Sequence, residues 1–204
     1  MTPQIKRLII LLVATAVLLM VGVPMCKQAQ RSRKAEAWQE NEFGPLGKTI
    51  DEILSHEGSP SRQKIVGAIA YRIGRKAEYR GVRSLSETER RFYAVRELFA
   101  EVKSKGFSHY FSNSAGDNAE SALAGLREAG ATEAATLLER AMAVFPSGRP
   151  PSDRAKRQRI METINTQSKP VWNAADDQFY RLKEPIGSLL LAYAKKKKAE
   201  FVFP

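Results

Sequence analysis

The chain has 204 residues, one cysteine and a formal net charge of +11, so an intramolecular disulfide is excluded and a nucleic-acid partner has to be weighed. Residues 1–34 hold six Lys or Arg and no Asp or Glu, which leaves 27 basic and 22 acidic groups for the rest, four of the basic ones in Lys195 to Lys198. The excess therefore sits beside an apolar run and near the end, where solvation or attraction to anionic lipid, about 1 kcal/mol per residue, accounts for it without a DNA groove.

Leu8 to Met25 contains no charge, is polar only at Thr15, and has eleven Leu, Ile or Val. At about 1.5 Å per residue, a helix of that length approaches the roughly 30 Å hydrocarbon core of a bilayer. Residues 1–26 therefore read as a transmembrane anchor or uncleaved signal. The alternatives are a cleaved secretory signal and lipid attachment at Cys26. Val21 to Cys26 offers no Ala-x-Ala-like cleavage site. Lys6 and Arg7 precede the run, while Lys27, Arg31, Arg33 and Lys34 follow it. That count favours a single-pass protein whose main domain faces the cytoplasm.

Residues 27–58 read as a basic juxtamembrane linker followed by a short helix. Gly44-Pro45 ends the linker's polar stretch, and Leu46 to His56 places Ile50, Ile53 and Leu54 on one side. A larger domain is expected over 59–198, with a tail at 199–204. In the helix after Ser61, Ile65, Ile69 and Ile73 share a face at spacings of four, with Val66 beside them. Ser86 and Glu89 fit a capping box, in which each side chain satisfies a free N–H at the helix start. Phe92, Val95, Leu98, Phe99 and Val102 then form a buried stripe, and Gly106 interrupts it.

Phe107, Tyr110 and Phe111 give an aromatic turn, and Asn113 to Asp117 a polar one. Asp117 with Glu120 forms another candidate capping box. Ala122, Leu123 and Leu126 face inward on a helix ended by Gly130. Thr132 is placed to cap its successor, which carries Leu137, Leu138, Ala141, Met142 and Phe145. Ser152 is placed to cap a basic helix with Ile160, Met161 and Ile164 on one side. Val171 to Tyr180 and Ile186 to Lys198 complete an all-α helical bundle with short loops.

The chemistry-bearing residues are sparse. His56 and His109 are the only histidines, and neither has neighbours at ligand spacing, so no metal site is expected. No Gly-x-Ser-x-Gly elbow and no phosphate-binding Gly-rich loop occurs, so no cofactor and no enzymatic activity are expected. Arg149, Arg154, Lys156, Arg157 and Arg159 spread around one helix and read as a solvated face. Candidate interaction residues are Phe107, His109, Tyr110, Asn113 and Asp117, with a second acidic edge at Asp176 and Asp177. At the aromatic turn a structural plug competes with a binding cleft floored by His109, Tyr110 and Asn113.

Two blocks are more specific. One runs from Leu85-Ser-Glu-Thr-Glu-Arg-Arg-Phe-Tyr to Gly106-Phe-Ser-His-Tyr-Phe-Ser-Asn-Ser-Ala-Gly-Asp117. The other includes Leu126-Arg-Glu-Ala-Gly-Ala131, Phe145-Pro146, Pro150-Pro-Ser-Asp-Arg154 and Asp176-Asp-Gln-Phe-Tyr180. Over about residues 60–195 the chain resembles the DNA-mimic protein domain family. The resemblance implies an all-helical domain that can dimerise and whose named member occupies a DNA-binding regulator. The family's usual Asn-Gly-Gly before the aromatic turn is here Ser104-Lys-Gly106.

A mimic of duplex DNA needs a dense carboxylate face, since the duplex carries one negative charge per roughly 1.7 Å of axis. Glu120, Glu128, Glu133 and Glu139 are interspersed with Arg127 and Arg140, and basic groups outnumber acidic ones. The expected function is accordingly a membrane-tethered helical module, regulatory or immunity-like, that binds a protein partner at a bacterial-type membrane. Antagonism of a DNA-binding regulator is the alternative.

Overall fold

The computed structural model describes residues 33–56, 58 and 61–203; the apolar segment 8–25 lies outside them. Among the described residues no helix is long and apolar enough to cross a membrane. Two compact units are present, divided after Pro45. The first contains helix α1 (33–43), in which Trp38 and Phe43 meet edge to face with ring centroids 5.9 Å apart. A 3-10 turn at Gly44–Leu46 follows, as the Gly44-Pro45 break predicts.

From Leu46 onward the long elements among the described residues of the second unit are all α-helices: α2 (Ile50–Ser55), α3 (Arg62–Arg80), α4 (Glu87–Ser112), α5 (Ala119–Ala129), α6 (Thr132–Met142), α7 (Arg154–Tyr180) and α8 (Ile186–Lys196). Helix α4 is the axis, packed by α3, α5 and α7; α6 lies against α5 and α7, and α8 against α3 and α5. Ile65, Ile69, Ile73, Phe92, Val95, Leu98 and Val102 have no exposed surface, so both periodic stripes face the core. Phe99 is only half-buried and reaches the ring of Phe179 at 4.6 Å.

Several helix starts differ from the sequence reading. Helix α2 begins at Ile50 rather than Leu46, with Thr49 as its cap. Helix α5 has no side-chain cap, because Asp117 is drawn instead to an arginine. Thr132 does not cap α6; the carboxylate of Glu184, far along the chain, accepts from the N–H groups of Glu133 (3.2 Å) and Ala134 (3.0 Å). Asp153, not Ser152, caps α7 by accepting from Lys156 N–H at 2.6 Å. Helix α7 also runs unbroken through Pro170, where two helices were expected. A proline inside a helix costs about 3 kcal/mol. Here it lies on the exposed side, while Ser168, Trp172, Ala175 and Phe179 bury the opposite stripe and offset that cost.

The capping box at Ser86 and Glu89 is present, and it does more than begin α4. Glu89 is fully buried; its two oxygens accept from Ser86 N–H (2.8 Å), from Lys76 Nζ of α3 (2.8 and 3.0 Å) and from Val202 N–H (3.0 Å). One carboxylate thus ties α3, α4 and the end of the chain together. Phe201 is accordingly docked: it is 4% exposed and its ring lies 5.6 Å from that of Phe92.

Candidate functional site

The site grows from one glycine. Gly106 adopts φ +81°, a left-handed conformation that side-chain-bearing residues avoid, and it splits α4 into two limbs. The second limb starts without an N-terminal serine or threonine of its own. Asp176 of α7 serves instead, accepting from Phe107 N–H at 2.8 Å. Burial raises the Asp176 carboxyl above the usual carboxylate range; the Phe107 hydrogen bond pulls the other way, and the charge of Asp177 adds to the rise. Asp177 itself is exposed. The two acidic residues expected to form one edge therefore separate into a helix cap and a solvated group.

The bend drives Phe107, Tyr110 and Phe111 inward, all without exposed surface. Phe111 sits 5.2 Å from Phe145 and 5.6 Å from Trp172, and Phe107 lies 5.5 Å from Phe179. Each such side chain contributes about 1.5–3 kcal/mol by leaving water. Trp172 Nε1–H donates to Ala141 O at 2.9 Å, so the ring cluster also fixes α6. This is a plug between α4, α6 and α7. A cleft floored by Tyr110 is ruled out, because its hydroxyl is enclosed and has no hydrogen-bond partner among the described residues. Burial pushes its pKa well above the ordinary phenol value, the Arg157 charge opposing and Glu97 and Asp117 adding to the rise.

His109 and Asn113 remain half-buried and are brought together by a shared partner, Glu101. Its Oε2 lies 3.1 Å from His109 Nε2 and 2.7 Å from Asn113 Nδ2. Asn113 Oδ1 accepts from Ala115 N–H at 2.9 Å, which starts the 3-10 turn Ser114–Asn118. One turn before Glu101, Glu97 is half-buried, and desolvation raises its pKa against the opposing charge of Arg96.

Asp117 leads to the residue that sequence reasoning missed. Arg157, expected on a solvated basic face, has no exposed surface and is the largest fully buried side chain among the described residues. It makes five hydrogen bonds: Nε–H donates to Phe111 O (2.6 Å), Nη1 to Pro151 O (2.6 Å) and Ser152 O (3.2 Å), and Nη2 to Asn113 O (2.7 Å) and Asp117 Oδ1 (2.6 Å). The carbonyl end of α4, the 3-10 turn and the approach to α7 are thereby held by one planar fork, a geometry lysine cannot supply. Gly116 leaves room for it: a Cβ there would stand 3.0 Å from Arg157 Nε and 2.8 Å from Tyr110 O. The signal was available. Arg157 falls seven residues before buried Ile164, in register with the inward stripe of α7. Arg149, Arg154, Lys156 and Arg159 are exposed, as expected.

A family model described as DMP19-like protein matches residues 83–197, more than half of the chain. The chain belongs to the DMP19-like protein family. This is the family of DNA-mimic proteins that the two sequence blocks resemble, and the matched segment takes in α4 through α8 with the whole aromatic plug. No curated protein and no solved structure matches the chain.

The acidic surface of this DMP19-like segment is largely neutralised. Glu128 pairs with Arg91, Glu139 with Arg127, and Glu120 faces Arg149 at 3.6 Å. Glu128 also accepts from the hydroxyl of Tyr193 at 3.0 Å; burial is the main cause that pushes that hydroxyl up to about 12. Of the four glutamates that could have built a DNA-like face, only Glu133 has no cation within salt-bridge distance among the described residues.

Proposed function

We propose that the chain is a non-enzymatic protein-interaction module, regulatory or immunity-like, tethered to a membrane by residues 8–25 with its helical unit on the cytoplasmic side. One observation carries the reading. The motif residues Phe107, Tyr110, Asp117 and Asp176 are spent on holding the fold: Phe107 and Tyr110 are buried, Asp117 is engaged with the buried Arg157, and Asp176 with the Phe107 N–H. The module's contacts then fall to its outer surface, including the half-exposed His109 and the exposed Asp177. The uncharged run 8–25, with its heavier basic flank on the far side, supports the tether and its orientation.

DNA mimicry has family membership in its favour. Its charge requirement is opposed by the arginines beside Glu120, Glu128 and Glu139.

Cross-linking in cells followed by capture from detergent-solubilised membranes should recover one reproducible protein partner. Recovery of none would defeat the module reading. Protease added to spheroplasts should spare the helical unit, and its digestion would reverse the orientation. Recovery of the whole unprocessed chain in a salt-washed soluble fraction would remove the tether.

A further inference from the structure

One cavity among the described residues takes in Arg96, Phe99 and Lys103 of the first sequence block. It is a groove of about 730 Å³ between the first turn of α3, the middle of α4 and the segment leading into α8. That volume is typical of ligand sites, roughly 300–1,000 Å³. Its apolar part includes Val66 and Leu190, which are buried, and Phe99, Leu182 and Ile186, which are half-buried.

Three cations stand around this apolar strip: Arg62, Arg96 and Lys103. Arg62 and Arg96 have no carboxylate within salt-bridge distance among the described residues, in contrast to the paired arginines of α4 and α5. Lys103 donates to Phe179 O (2.7 Å) and Tyr180 O (3.1 Å), carbonyls at the end of α7, at the rim. The one carboxylate in the lining, Glu184, is spent on the N–H groups that begin α6. The groove therefore holds apolar surface with three cations against one carboxylate, an excess of positive charge.

We infer that this groove binds an acidic peptide segment of a partner protein, one that sets an apolar side chain on Phe99 while its carboxylates meet Arg62, Arg96 and Lys103. The inference rests on reading the chain as a protein-interaction module and names the chemistry of its partner. Charge complementarity selects the occupant: a basic or neutral segment would leave three cations unanswered, and one without an apolar anchor would leave Phe99 and Leu190 wet. The polarity is opposite to that of a DNA mimic, which meets basic partners.

The test uses the full chain and a fluorescein-labelled peptide of Asp and Glu carrying a Leu-x-x-Phe pair. Anisotropy should show saturable binding that weakens with added salt. The double substitution Arg62→Glu with Arg96→Glu should weaken it about tenfold or more. Lys105→Glu, exposed and outside the groove, should leave it unchanged, and circular dichroism should confirm that each variant folds. Equal binding of a Lys-rich peptide with the same Leu-x-x-Phe pair would overturn the proposal. So would an unaltered affinity in the double variant, or occupation of the groove by a short-chain alkyl phosphate while the acidic peptide fails to bind. Failure of the underlying reading looks different. A cross-linked partner captured equally by wild type and double variant keeps the module and removes the groove, whereas peptide binding at the groove with no partner in cells keeps the groove and removes the module.

Discussion

Replacing Arg157 by Met keeps the length of the side chain and removes its charge and fork. Ordinarily a buried ion pair can be exchanged for apolar residues at little cost, because both charges leave together. That exchange is not available here. Four of the five acceptors are backbone carbonyls, of Phe111, Asn113, Pro151 and Ser152, and no substitution removes them. Stranding a buried acceptor costs about 1–3 kcal/mol, and removing one partner of a buried charge pair about 3–5 kcal/mol. Asn113 and Asp117 in the polar turn keep contact with solvent, so these costs do not sum, and about 4 kcal/mol is expected for Arg157→Met. In a domain of this size each kcal/mol moves Tm by about 2–4 °C, so the loss is roughly 8–16 °C. Arg157→Lys should cost about half as much. Asp117→Asn should cost about 1 kcal/mol, since the Asp117 side chain is 39% exposed and rehydrates. Thermal and urea unfolding followed by circular dichroism and Trp172 emission would measure all three. Trp172 is 4% exposed and stacks near Phe111, so it reports the affected core, whereas Trp38 is 60% exposed. A loss below about 1 kcal/mol for Arg157→Met, or equal losses for Arg157→Met and Asp117→Asn, would refute the claim that the carbonyl cradle is what the arginine stabilises.

Asp176→Ala removes the acceptor for Phe107 N–H and should cost about 1 kcal/mol, whereas Asp176→Asn keeps an acceptor oxygen and should be close to neutral at pH 7; equal losses by urea titration would contradict the capping role. Gly106→Ala should cost about 1–2 kcal/mol for its left-handed backbone alone, and its Cβ would also collide with the Asp176 carboxylate. The penalties of Gly106→Ala and Asp176→Ala should therefore be less than additive in a double-mutant cycle. Glu97 has a raised pKa in the fold, so its contribution is fully present below its unfolded pKa and is lost as pH rises through the folded one. Glu97→Gln should accordingly raise Tm at pH 7 and lose that advantage in acid, and a gain that persists at low pH would exclude desolvation as its cause. Tyr110→Phe removes a buried hydroxyl that has no partner among the described residues and should leave Tm unchanged or raise it; a loss of more than about 1 kcal/mol would mean that the hydroxyl is satisfied.

The elements that could be read from the sequence are those whose information is local. The capping box at Ser86, the stripes of α3 and α4, and the break at Gly106 each depend on residues within a turn or two of one another, and each stands where periodicity placed it. The errors at helix starts share one cause. Glu184 caps α6 from fifty residues away, and Asp176 caps the second limb of α4 from sixty-nine, distances across which no local pattern carries. Once Asp117 is claimed by Arg157 it cannot cap α5. Arg157 itself was misread because residue type was weighed above register: arginine is rarely buried, yet its position in the α7 stripe pointed inward. At the aromatic turn the plug is the arrangement found, and Tyr110 faces no cleft.

The division of labour inside this domain explains how a DNA-mimic family can include a chain with a basic surface. The aromatic plug, the Gly106 bend, the Asp176 cap and the Arg157 cradle all point into the bundle, and none of them depends on the sign of the charges outside. Surface sign is set by groups on the outer faces of α4 to α6 and in the loop before α7, where Arg91, Arg127 and Arg149 stand beside the glutamates a mimic would leave unpaired. Exposed charges contribute at most about 1 kcal/mol each to stability, so they can be exchanged without disturbing the interior. Partner chemistry is therefore not inherited with the fold. In this chain the groove proposed to take a partner is lined by Arg62, Arg96 and Lys103, so the carboxylates that the proposal calls for come from the partner's side.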